Sequence, residues 1–107
     1  MTIYVDIDDT ICTLDGEKNN ARDYSMSIPI KENIKKINKL HDEGHVIVYW
    51  TARGTVTGID WTDVTKQQFK DWGVKHHEVR MGKPYYDLFI CDKAINSNTF
   101  FGEENSG

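Results

Sequence analysis

The segment Thr2 to Ile11, TIYVDIDDTI, constrains the chain more than any other: a β-branched and aromatic run ends in three aspartates, Asp6, Asp8 and Asp9. Ile3 to Ile7 reads as a strand, apolar at most positions as in a strand covered on both faces. Side chains alternate along a strand, so Asp6 and Asp8 share a face. Carboxylates at the exit of a buried strand repel one another unless a cation sits between them, and a magnesium site is built in this way. The plainer reading of D-x-D is a strand followed by an acidic turn, with Asp9 and Thr10 capping the next element.

Beyond Ile11 the chain alternates between helical and strand patterns. Cys12 to Ser27 is polar, with turn signals at Asp15-Gly16 and Asn19-Asn20, and is too long for a tight connection. It reads as a small β-hairpin flap or an ordered loop over the strand exit. Pro29 suits a first helical turn, and Ile30, Ile34, Ile37 and Leu40 recur at helical spacing up to a breaker at Gly44. HVIVYW, residues 45–50, is a second strand without charge, followed by Thr51-Ala52-Arg53-Gly54. A second helix starts near Trp61 or Thr62, turns Val64, Phe69 and Trp72 inward and stops at Gly73. Val74 to Val79 reads as a third strand, Asp87 to Cys91 as a fourth ending at Asp92, and Gly102 to Gly107 as a frayed polar tail. This alternation implies parallel βαβ units in a doubly wound α/β sheet, in which ligands bind beyond the carboxyl ends of the strands. Asp6, Asp8, Thr51 and Asp92 all fall at such ends.

At 107 residues the chain makes one domain, with residues 1–101 as its core, and leaves no room for a separate substrate-binding domain of ordinary size. Any small-molecule site is therefore open, or closed by a loop or another subunit. The net charge of -4 and the lack of a basic stripe argue against duplex nucleic acid as a partner. Lys31, Lys35, Lys36 and Lys39 lie at helical spacing and read as a solvated face. Cys12 and Cys91 have no C-x-x-C spacing, so neither zinc nor a disulfide framework is indicated, and a reducing cytoplasm fits. Neither a signal peptide nor a membrane span is expected. His41, His45, His76 and His77 lack ligand spacing, and Trp50, Trp61 and Trp72 fall where core packing places them.

Taken together, VDIDDTI at the start, YWTARG in the middle and MGKPYYDLFICDKAIN near the end resemble the haloacid dehalogenase (HAD) superfamily of phosphotransferases, and most closely its small capsule-polysaccharide-biosynthesis phosphatases. The resemblance spans nearly the whole chain. It implies a three-layer, Rossmann-like core without a cap domain. It makes Asp6 the nucleophile that forms an aspartyl-phosphate and Asp8 the general acid and base. Thr51 would bind the transferring phosphoryl group, and Lys83 would neutralise charge on that group and on Asp6; the Thr51 hydroxyl and free backbone amides at Thr51 and Ala52 suit a grip on phosphate oxygens. Asp92, with Asp6 and the backbone carbonyl of Asp8, would hold Mg²⁺. Asp87 would orient Lys83 or cap the fourth strand. Cys91, expected to be buried beside the acidic site, stands where the related pattern commonly has an aspartate, a loss that weakens ordering behind the metal ligands and lowers activity. Arg53 either reaches a substrate phosphate or carboxylate, or pairs with an acidic side chain of the flap. Small uncapped relatives often associate so that one chain covers another's site, which implies a homo-oligomer.

The chemistry agrees with these roles. A carboxylate and a phosphate monoester are both anions, so attack requires cations such as Mg²⁺ and the Lys83 ammonium to cancel the repulsion. The uncatalysed reaction is so slow that the barrier must fall by about 20 kcal/mol, and an acyl phosphate divides that task into two steps. The expected activity is a Mg²⁺-dependent phosphatase of a small phosphorylated metabolite, with a sugar phosphate in surface-polysaccharide synthesis implied by the resemblance alone. The alternatives are a polynucleotide-end phosphatase, which the acidic balance disfavours, and a catalytically weakened binding or scaffold protein, suggested by Cys91. A receiver-type phospho-accepting module needs an acceptor aspartate at the end of a middle strand, and His45 to Gly54 contains none.

Overall fold

The computed structural model describes residues 1–14 and 23–106. Its elements in chain order are β1 (Thr2–Val5), β2 (Cys12–Thr13), a 3-10 turn (Tyr24–Met26), β3 (Ile28–Pro29), α1 (Lys31–Asp42), β4 (Val46–Trp50), α2 (Thr62–Trp72), β5 (Glu78–Arg80) and α3 (Ser97–Ser106). β1, β4 and β5 form a parallel sheet in that order, with Ile3 opposite Ile47, Val5 opposite Tyr49 and Tyr49 opposite Val79. Two crossover helices connect these strands, as parallel pairing requires.

Alternation divides the sheet into two unlike faces. Ile3, Val5, Ile47, Tyr49 and Val79 share one, and they pack into a single core with Ile34 and Ile37 of α1, Phe69 of α2 and Phe101 of α3. Tyr49 meets Phe69 edge to face at 4.9 Å. Complete burial of one such side chain stabilises the fold by roughly 1.5–3 kcal/mol. On the opposite face Val48 is buried, but Tyr4 and Val46 are exposed, and Tyr4 meets Trp50 edge to face. β1 is thus fully covered on one face rather than on two.

The helices follow the apolar spacing. α1 begins at Lys31 because the Ile30 carbonyl accepts from the Asn33 and Ile34 amides, while Pro29 lies one element earlier, in β3. α2 ends at Gly73, which takes the left-handed conformation that an L side chain rarely adopts (φ 68°). Its termination also uses the next residues: the Val74 amide donates to the Phe69 carbonyl, so the third strand begins only at Glu78 rather than at Val74. α3 runs into the stretch expected as a tail. Its start is fixed by the Asn98 amide on Asn96 Oδ1, and Lys36 of α1 sits 4.4 Å from the Phe100 ring centre.

Two further expectations change. The flap is closed at its base by antiparallel pairing of Cys12 with Pro29 and Thr13 with Ile28. Its turn signals at Asp15-Gly16 and Asn19-Asn20 lie outside the described residues. The fourth strand does not form: no ladder includes Asp87 to Cys91, and Leu88, Phe89 and Ile90 are exposed. Apolar, β-prone residues become a strand only where a neighbour accepts their backbone bonds, and a short run cannot specify that neighbour. Among the described residues no helix is long and apolar enough to cross a membrane.

Candidate active site at the strand ends

β1 delivers its last inward side chain at Val5, and the chain then turns sharply. The Thr10 and Ile11 amides both donate to the Ile7 carbonyl, and Asp9 takes a left-handed conformation at φ 63°. Ile7 and Ile11 are fully buried beneath this turn, which fixes the aspartates above it. Asp9 is thus held as a turn residue, in line with the plainer reading of its position.

Asp6 follows β1 directly. Its Oδ1 accepts from the Ile7 amide at 2.9 Å and lies 3.7 Å from Lys83 Nζ, with 44% of the side chain exposed. Burial raises its carboxyl above the usual carboxylate value; the Lys83 ammonium opposes that rise and the Asp8 charge adds to it. Lys83 is itself held on both sides: its amide donates to the Thr51 carbonyl, and its carbonyl accepts from Thr55 Oγ1. Its ammonium lies 5.3 Å from the Tyr86 ring centre and 5.9 Å from that of Trp50.

Thr51 leaves β4 fully buried, and its hydroxyl accepts from the Arg53 amide at 3.1 Å. Its own amide donates to the Arg80 carbonyl at 3.0 Å. That amide is therefore occupied by the sheet and does not present itself to phosphate as expected; among the described residues the Ala52 amide makes no such bond.

Arg53 departs furthest from expectation. Its side chain is wholly buried and its guanidinium pairs with Asp8, while Cys12 and Tyr24 at the two ends of the flap also touch it. Nε donates to Asp8 Oδ1 and Oδ2 at 3.3 and 3.1 Å, and Nη2 donates to Oδ1 at 3.0 Å and to Cys12 Sγ. Nη1 donates to Thr65 Oγ1 at 3.0 Å and Gln68 Oε1 at 2.7 Å. A guanidinium has five N–H donors, and these contacts use them all, leaving none for a substrate. The Tyr24 ring lies 4.9 Å from Cζ, and the Tyr24 carbonyl accepts from Gln68 Nε2. Cys12 donates to Asp8 Oδ1 at 3.5 Å; burial, reinforced by the Asp8 charge, pushes its thiol up to about 12, so it stays neutral. The sequence signal for this cluster is Thr65 and Gln68, two polar residues three apart on the buried side of α2, a pattern that calls for a buried polar partner.

A pocket of about 170 Å³ is lined by Arg53, Gly54, Ile59, Trp61, Met81 and Gly82 among others. Its wall is a loop closed by the Gly58 amide on the Gly54 carbonyl, and a Cβ at Gly54 would stand 1.9 Å from the Ile59 carbonyl oxygen.

The structure thus brings together Asp6 with Lys83, and Asp8 with Arg53. Among the described residues no three His, Cys, Asp or Glu side chains group so as to hold a metal, and Asp92 is exposed. Asp87 is exposed too, without a bond to Lys83, and Cys91, expected to be buried, is exposed with its thiol 3.9 Å from Asp92 Oδ1. All three placements result from the missing fourth strand.

No protein-family model matches the chain, and no curated protein matches it. The crystal structure of an MCSG target from Vibrio cholerae is similar, with a TM-score of 0.77 and 24% identity over 92% of this chain and 85% of that one. At that identity the likeness concerns the fold alone.

Proposed function

We propose that the chain is a phosphoric monoester hydrolase of the HAD type, acting on a small phosphorylated metabolite, with a sugar phosphate as the first class to try. The observation that carries this reading is the Lys83 ammonium 3.7 Å from Asp6 Oδ1, at a strand end where Asp8 and Thr51 also emerge. An exposed carboxylate beside a fixed ammonium suits attack on an anionic phosphorus centre, because the cation offsets the repulsion between the reactants. Asp6 would attack phosphorus, Lys83 would stabilise the growing charge, and Asp8 would exchange the proton. The pocket between Gly54 and Gly82 would offer space for a leaving group.

Mg²⁺ belongs to the proposal through the resemblance. Among the described residues no three His, Cys, Asp or Glu side chains group so as to hold it. The doubly wound, three-layer arrangement would supply the missing ligand: Asp87 to Cys91, added in parallel to the open edge of β1, would carry Asp92 to the same end of the sheet as Asp6. The competing reading is a weakened binding protein, suggested by Cys91 in place of an aspartate.

The test is a panel of phosphorylated metabolites assayed for phosphate release with and without Mg²⁺, using wild type, Asp6→Asn and Asp92→Asn. Release that disappears in Asp6→Asn supports the covalent route. Release that survives Asp6→Asn removes it, and no release from any substrate favours the binding protein.

A further inference from the structure

Asp8 is held by an asymmetric grip. Its Oδ1 accepts Arg53 Nε at 3.3 Å, Arg53 Nη2 at 3.0 Å and the Cys12 thiol at 3.5 Å, whereas Oδ2 accepts Nε alone at 3.1 Å. The guanidinium cannot swing, because Nη1 is tied to Thr65 and Gln68 of α2 and one face lies against Tyr24. The Asp8 side chain is 21% exposed and that of Arg53 not at all, so solvent reaches the pair from the carboxylate side.

We propose that Arg53 is a positioning residue that saturates Asp8 Oδ1 and leaves Oδ2 as the oxygen that moves the proton. This rests on the phosphatase reading of the same site. In the first half-reaction an Asp6 oxygen bonds to phosphorus, and the bond from phosphorus to the ester oxygen breaks with its electron pair on that oxygen. The proton on Asp8 Oδ2 passes to it, releasing the alcohol. In the second half-reaction Oδ2 takes a proton from the water that attacks phosphorus, and the Asp6 carboxylate leaves with inorganic phosphate as the other product. A planar fork holding two positions on one carboxylate fixes its plane, which a single ammonium cannot do. Thr65, Gln68 and Tyr24 act one step further out, by holding the fork.

Leaving-group dependence separates this role from mere structural support. An alkoxide needs the proton as it departs, whereas p-nitrophenolate does not. For Arg53→Lys, kcat/KM on an alkyl phosphate such as glycerol phosphate falls about 100-fold, while that on p-nitrophenyl phosphate falls less than about fivefold. Asp8→Asn shows the same bias. Thr65→Val, which removes one Nη1 partner while keeping side-chain shape, shows it in smaller degree and serves if Arg53→Lys does not fold. Equal losses on the two substrates in Arg53→Lys, or in Thr65→Val in its place, overturn the positioning role while leaving the phosphatase reading intact. Equal losses in Asp8→Asn also overturn it, since Asp8 would then carry no proton. Wild type that releases phosphate from neither of these substrates nor from any member of the metabolite panel refutes the phosphatase reading, and this inference with it.

Discussion

Removing the Asp8 carboxylate leaves Arg53 charged inside the protein, and the cost can be worked from the contacts. Three N–H to oxygen contacts of 3.0, 3.1 and 3.3 Å join the pair. Hydrogen bonds to charged groups contribute about 1.5–3 kcal/mol each, but they share one ion pair, and a buried pair broken from one side costs about 3–5 kcal/mol. Arg53 has no exposed side-chain surface, whereas Asp8 is 21% exposed, so water entering at the vacated carboxylate offsets part of the loss. Asp8→Ala should therefore destabilise the chain by about 3 kcal/mol, a large share of the roughly 5–15 kcal/mol that holds a domain together. Urea unfolding followed by tryptophan fluorescence measures it, and Arg53→Met together with Asp8→Ala completes a double-mutant cycle. The double variant should be more stable than the sum of the single losses predicts by about 1.5 kcal/mol or more, because the stranded charge has gone. Additive losses, or an Asp8→Ala cost below about 1 kcal/mol, would refute the claim that this pair organises the turn.

Three other outcomes are expected from the same geometry. Asp6→Asn should raise the melting temperature at neutral pH: the Asp6 carboxyl is raised chiefly by burial, so its contribution to stability is present below the ordinary value of about 3.9 and lost as pH rises through the folded value. The gain should disappear below about pH 4, and thermal melts that show no gain at pH 7 would contradict it. Gly54→Ala should destabilise by at least about 1–2 kcal/mol, since a left-handed conformation at φ 79° is combined with a contact of 1.9 Å to the Ile59 carbonyl oxygen; an unchanged urea midpoint would show that the loop does not close as described. Thiol titration with an aromatic disulfide at pH 8 should label exposed Cys91 quickly and buried Cys12, pushed up to about 12, only after unfolding. Equal rates in the folded protein would overturn the placement of one of them.

Local patterns in the sequence were enough to locate β1, α1, β4 and α2, because each carries its period and its stop within one short window. Gly73 is the clearest case: a residue able to adopt φ 68° ends an apolar stripe that includes Phe69 and Trp72. The same window misplaced the third strand, because Val74 is used to finish the helix before the sheet resumes. Asp87 to Cys91 shows the opposite limit. Its composition is strand-like, yet pairing depends on an edge elsewhere in the chain, and Leu88, Phe89 and Ile90 stay exposed. Arg53 was visible as a charged residue at a strand end, but its partner depends on how the Asp6 to Ile11 turn aims Asp8. Only Thr65 and Gln68 hinted that the guanidinium is buried.

The two aspartates of the turn are separated in role by the cations they meet. Asp6 is 44% exposed and stands 3.7 Å from a lysine, a looser contact than any in the Asp8 pair. Asp8 is gripped at both oxygens by a guanidinium that has no other freedom. An attacking carboxylate has to move towards phosphorus, which a loosely held group does at small cost. A proton carrier gains instead from a fixed orientation. Exchanged roles would require Asp8 to break its contacts with Arg53 before attack, at a cost on the order of 3 kcal/mol, or roughly 100-fold in rate. A rapid-quench experiment decides between the two. Mixed with a labelled acyl phosphate, whose leaving group needs no proton, Asp8→Asn should accumulate protein-bound phosphate because hydrolysis of the intermediate lacks its base. Asp6→Asn should accumulate none, and label trapped on Asp6→Asn but absent from Asp8→Asn would reverse the assignment.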